Sequence, residues 1–289
     1  MKKINTFILL ILLFTFIFSF SKEINRLKII FLLRRSQYKI KHPNKSIFTI
    51  SIKDIAPCPN DSLTLAYFGQ SNHGNNIKRN NNLIINSDNV FIYDWRLDLC
   101  SKYQEPLAGP DGSNGFGHIA TDNIYSLINK YDYQNKILVL GFSKGGSIVE
   151  DWANGELTSD FDLILQRLKN KRIEFDYVFW HQGESEKKDP NKSYLNKYKK
   201  ELKLVFKKIF DNSPKTYIGM ALVSKCNSQS SKSLLNEQRS IIAENNQIHL
   251  TLNTDKLGKE FRYDKCHFNW IGSQKIGENY ADLINKLNY

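Results

Sequence analysis

Apolar positions along this chain fall into two kinds of run that alternate. Short blocks rich in β-branched and aromatic residues recur at Leu63–Phe68, Val90–Trp95, Lys136–Phe142, Tyr177–Trp180 and Thr216–Val223. Each is apolar at nearly every position, the pattern of a parallel strand covered on both faces. Between them lie longer stretches with apolar residues at helical spacing. His118–Tyr131 places Ile119, Ile124, Leu127 and Ile128 on one side, Asp160–Asn170 does the same with Phe161, Ile164, Leu165 and Leu168, and Ser193–Phe210 with Tyr194, Tyr198, Leu202, Val205, Phe206 and Ile209. Leu234–Glu244 and Trp270–Leu287 predict two more helices, and His249–Leu252 a short extra strand. Strands that alternate with helices predict an α/β protein, a three-layer α/β/α sandwich around a central, mainly five-stranded parallel sheet.

No repeat or low-complexity linker divides the chain after residue 60, so residues 61–289 read as one domain. Residues 72–89, rich in Asn and Lys, and the Gly109–Gly117 segment read as loops. Composition changes this picture only at the N-terminus. The formal charge is +12, but residues 1–45 carry ten Lys or Arg against the single acid Glu23, so +9 of it sits there. The domain itself is close to neutral and has no zinc-finger spacing or glycine-rich phosphate loop, which speaks against a nucleic-acid partner. Lys2-Lys3 followed by the apolar run Phe7–Phe20 describes a secretory signal or an N-terminal membrane anchor over residues 1–21, with a basic arm over 22–60. The run is short for a spanning helix, and the basic arm behind it disfavours clean export. Export, secreted or periplasmic, is the leading expectation, and membrane attachment through the arm the second.

Cys58, Cys100, Cys226 and Cys266 form no Cys-x-x-Cys pair, so a metal site is not expected. Three pairings are open. Cys58 precedes the first strand and Cys100 follows the second, while Cys226 and Cys266 both lie in late loops, which favours Cys58 with Cys100 and Cys226 with Cys266. Four buried thiols remain the alternative if the domain faces the cytosol.

The chemistry gathers where strands end. Gly69-Gln70-Ser71-Asn72 follows the first strand, the Gly109–Gly117 loop the second, Ser143-Lys144-Gly145-Gly146 the third and His181-Gln182-Gly183-Glu184 the fourth; Asp264-Lys265-Cys266-His267 precedes the last helix. In a parallel sheet the first four emerge on one edge, where ligands bind in open α/β folds. A serine hydroxyl is a poor nucleophile until an imidazole takes its proton. That imidazole needs a carboxylate on its other nitrogen, and Asp264 lies three residues before His267 in a turn that lets the two meet.

Together these clusters resemble the SGNH hydrolases, and more narrowly the sialate O-acetylesterase-like carbohydrate esterases. The resemblance runs from about Leu63 to the C-terminus. It includes His267-Phe268-Asn269, Gly272, Gln274, Gly277-Glu278 and Tyr280-Ala281, and the glycine pair and Trp152 after the third strand. It implies a flavodoxin-like SGNH fold and a serine esterase that removes O-acetyl groups from a carbohydrate through an acyl-enzyme. Ser71 is then the nucleophile, His267 the general base and Asp264 its orienting partner. The implied oxyanion donors are the Ser71 N–H, a glycine of the Gly109–Gly117 loop (Gly115, with Gly112 next) and the Gln182 side chain. Gln70, Asn72, Ser143 and Trp152 are expected to contact substrate, Trp152 by stacking on a sugar ring, with core or loop packing as its equal alternative. His73 stands where relatives often carry Met. The substrate partner is an O-acetylated carbohydrate, and no metal or organic cofactor is implied.

Gly141-Phe142-Ser143-Lys144-Gly145 also matches the nucleophile elbow of α/β-hydrolases, which would make Ser143 the nucleophile. That reading gives Gly69–Asn72 and His181–Glu184 no task, has only two clear strands before the elbow, and finds no separate acid downstream at the spacing such a fold needs. His181 is expected to be structural, Glu184 to hold loops together, and His118 to begin a helix. Asn44, Asn60 and Asn191 head Asn-x-Ser sequons. A glycan O-acetyltransferase using the same triad and an inactive glycan-binding module are the alternatives to the esterase.

Overall fold

A computed structural model of the chain describes residues 55–288, apart from residues 80–82, 84, 86–87, 113–115 and 228. The expected leader or anchor, nearly all of the basic arm, and Gly115 therefore lie outside the described residues. So does the Asn44 sequon. Among the described residues no helix is long and apolar enough to cross a membrane.

The strands are β1 (Ile55–Ala56), β2 (Leu63–Gly69), β3 (Val90–Asp94), β4 (Leu99–Lys102), β5 (Ile137–Ser143), β6 (Tyr177–His181), β7 (Tyr217–Leu222) and β8 (Ile248–Asn253). They form one sheet in the order β1-β4-β3-β5-β2-β6-β7-β8. All five apolar blocks are parallel neighbours in it, and the short block near His249 adds β8 as a sixth parallel strand. The antiparallel β1–β4 extension was not predicted. Leu99-Cys100-Ser101-Lys102 is too short and too mixed to signal a strand. It is ordered by pairing, Tyr93 opposite Cys100, and by the Cys58–Cys100 disulfide. Ile55 and Ala56 thus belong to the sheet and not to the basic arm.

The helices are α1 (Ile119–Tyr131), α2 (Val149–Ala153), α3 (Thr158–Lys171), α4 (Lys192–Asn212), α5 (Lys232–Ala243) and α6 (Trp270–Asn288). Their starts are set by side chains that accept otherwise unpaired N–H groups: His118 at α1, Asn191 at α4 and Ser231 at α5. The single turn α2 is too short for a periodic signal.

Because side chains alternate across a strand, each apolar block feeds two cores. Ala66, Phe68, Leu138, Leu140, Val178 and Trp180 pack with the residues of α2 to α5 on one face. Leu65, Tyr67, Ile137, Val139, Tyr177 and Phe179 pack under α1 and α6 on the other. β2 sits between β5 and β6 at the point where the chain changes direction: it leaves toward β3, returns to β5, and then crosses to β6. That is the switch point of an open α/β sheet, where the carboxyl ends of the strands leave a crevice.

Trp152 belongs to the first core. It is fully buried, with ring centroids 4.9 Å from Phe142, 5.1 Å from Trp180 and 5.7 Å from Phe161, and its indole N–H donates to Ser147 Oγ at 3.1 Å. The expectation that it stacks on a sugar is corrected accordingly, since no face of the ring reaches solvent. Trp152→Ala should lower the unfolding free energy by about 3–5 kcal/mol, as a large cavity in a packed core does. Urea unfolding monitored by circular dichroism checks this, and a loss below about 1 kcal/mol would mean that the site is not core.

Candidate active site

Strand register brings the polar clusters to one level. Gly69, the last residue of β2, is paired with Ser143 at the end of β5 and with His181 at the end of β6. Gly69 adopts φ +146°, a region that only glycine occupies readily, and a Cβ there would meet the His181 carbonyl oxygen at 2.1 Å. Glycine lets the chain leave the sheet between its two neighbours. The next residues, Ser71–His73, form a 3₁₀ turn. Ser71 is its first residue, so its N–H is among those a helical turn leaves without an internal acceptor.

Gln70 fastens this turn to the loop after β6. Its side-chain oxygen accepts from the Gly183 and Ser185 N–H groups at 3.1 and 3.3 Å, its amide donates to Ser185 Oγ at 3.2 Å, and its own N–H donates to His181 O. Asn72 reaches the other way. Its amide donates to Glu184 Oε1 at 2.8 Å and to Cys266 O at 3.3 Å, and its oxygen accepts from the Phe268 N–H at 3.2 Å. One buried side chain thereby holds both peptide groups that flank His267.

His267 and Asp264 lie at the tip of a hairpin closed by hydrogen bonds from Tyr263 N to His267 O (3.1 Å) and from Asn269 N to Phe261 O (3.0 Å). Arg262 and Phe268 form its buried face, guanidinium over ring at 4.2 Å, and the Arg262 guanidinium also donates to Cys266 O. The Cys226–Cys266 disulfide ties the tip to the loop after β7. His267 Nδ1 meets Asp264 Oδ2 at 2.8 Å, and Asp264 Oδ1 accepts the Cys266 and His267 N–H groups at 2.6 Å each. Burial opposes the Asp264 charge, but these bonds from His267 and Cys266 outweigh it and hold the carboxyl below its ordinary range. The carboxylate accepts the Nδ1 proton, which leaves Nε2 as the free ring nitrogen.

Ser71, Asp264 and His267 line one cleft of about 490 Å³ with Gln70, Gly146, Ser185, Asn227 and Lys265. Among the described residues no hydrogen bond joins the Ser71 hydroxyl to His267. Such contacts are often long until substrate is bound. Gly145 lies beside the serine, where an added Cβ would be 3.6 Å from Ser71 Cβ, and its N–H donates to Asp111 Oδ2 at 2.6 Å. Gly146 has φ +80° with open space in place of a side chain, and it faces the cleft.

Several expected site residues stand elsewhere. Ser143 is buried at the end of β5 with its hydroxyl on Asp111 Oδ1 at 3.1 Å; among the described residues no imidazole is bonded to it. Gln182 is wholly buried, and its amide donates to Glu186 Oε1 at 2.6 Å and Ser147 O at 3.3 Å, so its N–H groups are turned away from the cleft. Asn72 is also wholly buried and braces the loops in place of contacting substrate. Gly112 is bridged to Asn75, and Asn75 in turn fixes the Leu107–Pro110 backbone. The residues that sequence reading missed are Ser185, Asn227 and Lys265, which lie next to motif residues and carry no pattern of their own. Among the described residues no group of three His, Cys, Asp or Glu is arranged to hold a metal.

Beneath the cleft lies a layer of buried imidazoles. His73 and His181 ring centroids are 5.1 Å apart, and His73 and His118 are 6.5 Å apart. His73 bonds Phe68 O through Nδ1 at 2.9 Å and the Tyr280 hydroxyl through Nε2 at 2.7 Å. His118 accepts the Ala120 N–H and donates to His73 O. His181 Nε2 lies 3.3 Å from Glu184 Oε1, but its ring nitrogens make no well-aligned hydrogen bond. Burial resists the charging of His73 and His118. It pushes His73 well below the ordinary imidazole range, helped by His181 and His118, and pushes His118 down to about 3.

Comparison with known proteins bears on the family and the fold. The family model described as "SASA: Carbohydrate esterase, sialic acid-specific acetylesterase" matches residues 68–286. No curated protein sequence matches the chain. Among solved structures, an Arabidopsis thaliana protein is similar at 14% identity with a TM-score of 0.58, covering 78% of this chain and 98% of its own. A Parabacteroides merdae protein assigned as a GDSL-like lipase is similar at 13% identity with a TM-score of 0.50, covering 80% and 99%. At these identities the likeness is one of fold.

The imidazole layer has a thermodynamic consequence. In the unfolded chain His73 and His118 take up protons as pH falls through 6.5; in the fold they stay neutral. The unfolded state therefore gains protons first, and stability present above that pH is lost below it. Each histidine should remove about 1.4 kcal/mol per pH unit below pH ~6. Denaturant unfolding at a series of pH values checks this, and His118→Asn should take one share out of the slope. A flat profile from pH ~7 to ~5 would contradict it.

Proposed function

The chain belongs to the sialic acid-specific acetylesterase family of carbohydrate esterases, and from that we propose that it removes O-acetyl groups from a carbohydrate by a serine acyl-enzyme mechanism at Ser71. The observation that carries the proposal is the Asp264–His267 pair, held at 2.8 Å, lining the same cleft as Ser71 at the sheet's switch point.

The steps follow from that arrangement. Ser71 Oγ attacks the acetyl carbonyl carbon while His267 Nε2 takes its proton, and Asp264 stabilises the imidazolium that results. Negative charge moves to the carbonyl oxygen. The Ser71 N–H and the Gly146 N–H are the donors we assign to it, each worth about 10²–10³ in rate. Gly146 is assigned because it lines the cleft with Ser71; Gly115 lies outside the described residues. We give Gln182 no part, because its amide is committed to Ser147 and Glu186. As the C–O bond breaks, His267 returns the proton to the sugar oxygen. Water, activated by the same imidazole, then releases acetate and restores Ser71. Ser185, Asn227 and Lys265 are placed to meet sugar hydroxyls.

The exposure of the pair supports hydrolysis over transfer to a second sugar. The His267 and Asp264 side chains are 27% and 42% exposed, so water reaches the acyl-enzyme. Ser143 as nucleophile is disfavoured by its bond to Asp111, and a binding-only module by the presence of Ser71, His267 and Asp264 in one cleft. Two disulfides, Cys58–Cys100 and Cys226–Cys266, support an oxidising compartment and hence export.

Labelling with an organophosphonate, peptide mapping and an aryl acetate assay test the reading. The label is expected on Ser71, and Ser71→Ala should abolish turnover while Ser143→Ala retains it within about tenfold. His267→Ala should lose more than about a thousandfold in kcat, as other triads do. Label on Ser143, with activity surviving in Ser71→Ala, would reverse the assignment.

A further inference from the structure

The hairpin that carries His267 has a second face. Arg262 and Phe268 are cross-strand neighbours turned into the protein. Tyr263 and His267 form the adjacent pair, joined by the Tyr263 N–H to His267 O bond, and their side chains share the opposite side. There the two rings stack, with planes 18° apart and centroids at 5.9 Å. Tyr263 is backed in turn by Phe116 from the loop after β4, at 5.5 Å and 50°.

Asp264 holds one nitrogen of the His267 ring. A hydrogen bond at a single atom leaves the ring free to swing about that contact, and Nε2, on the far side of the ring, moves most. A flat neighbour packed along one face removes that freedom. We propose that Tyr263 is a positioning residue for the general base: its ring, seated on Phe116, fixes the plane of the His267 imidazole so that Nε2 faces the nucleophile. The proposal rests on the assignment of His267 as the base. The phenol hydroxyl has no part in it; the flat aromatic face does. This gives Tyr263 a role in turnover rather than in substrate affinity.

The test separates a ring effect from a fold effect. Tyr263→Leu keeps bulk and removes the flat face, while Tyr263→Phe keeps the face and removes only the hydroxyl. With an aryl acetate, Tyr263→Leu should lose about tenfold to a hundredfold in kcat with KM nearly unchanged, the scale on which small misplacements of reacting groups act. Tyr263→Phe should stay within about twofold of the parent. Phe116→Leu should show a smaller loss of the same kind. Proton NMR should find the His267 Nδ1–H resonance sharp in the parent and in Tyr263→Phe, and broadened by exchange in Tyr263→Leu. Equal thermal midpoints for the three proteins show that the comparison is of folded enzymes. Should Tyr263→Leu unfold, Tyr263→Trp, which restores a flat face, must recover kcat for the proposal to stand. A Tyr263→Leu enzyme with parental kcat and a sharp resonance, beside an inactive His267→Ala, overturns the positioning role alone. An active His267→Ala overturns the base assignment and the proposal with it.

Discussion

The amide of Asn72 is the contact on which the site depends. The nucleophile turn follows the central strand, and the base lies almost two hundred residues later in a hairpin that belongs to no strand. The Asn72 side chain joins the two directly, while the Cys226–Cys266 disulfide ties the hairpin to the loop after β7. Asn72, the residue after Ser71, donates to the carbonyl before His267 and accepts from the N–H after it. All of its polar atoms are buried, so losing either partner would strand groups at about 1–3 kcal/mol each. That cost couples the position of the serine turn to that of the histidine hairpin.

Asn72 is itself held by Glu184, and Glu184 lies against His181. Burial works against the Glu184 charge, yet His181 and the Asn72 amide outweigh it and keep the carboxyl below its usual range. The layer below, with His73 and Tyr280, is polar but closed, and apart from His181 its imidazoles spend their ring nitrogens on internal partners. A polar layer of this kind supports a unique arrangement only when its members are satisfied. The unpartnered His181 nitrogens, Glu184 Oε2 and Gln182 Oε1 mark where that layer is least complete, directly beneath the cleft.

What could be read from the chain follows from what periodicity encodes. Strands covered on both faces and helices with one apolar stripe announce themselves, so β2, β3, β5, β6, β7 and the long helices lie where their apolar blocks predict. β4 and α2 carry too few residues for any period, and pairing or packing creates them. The three residues read together from the sequence, Ser71, Asp264 and His267, are brought to one cleft. The direction of a side chain is not written in a motif. Trp152, Asn72 and Gln182 sit in the right segments but turn inward, because a large ring and two amides find more partners in the core than at the cleft. Gly115 lies outside the described residues, and the place of Gly146 beside the nucleophile turn comes from strand register, which a single sequence does not display.

The two halves of the triad are therefore built by different means. Ser71 inherits its place from the sheet, through the Gly69 register and the backbone bonds around it. His267 inherits nothing from the sheet. Its hairpin is fixed by Asn72 from one side, by Arg262 from beneath, by the Cys226–Cys266 bond at its tip and by Tyr263 on its outer face. The base is thus held by several separate tethers, and the nucleophile by one continuous sheet edge. The disulfide lines the cleft one residue from the imidazole, which places the most environment-sensitive bond of the domain against its most position-sensitive group. The bond that closes the hairpin tip therefore also holds His267 beside the cleft.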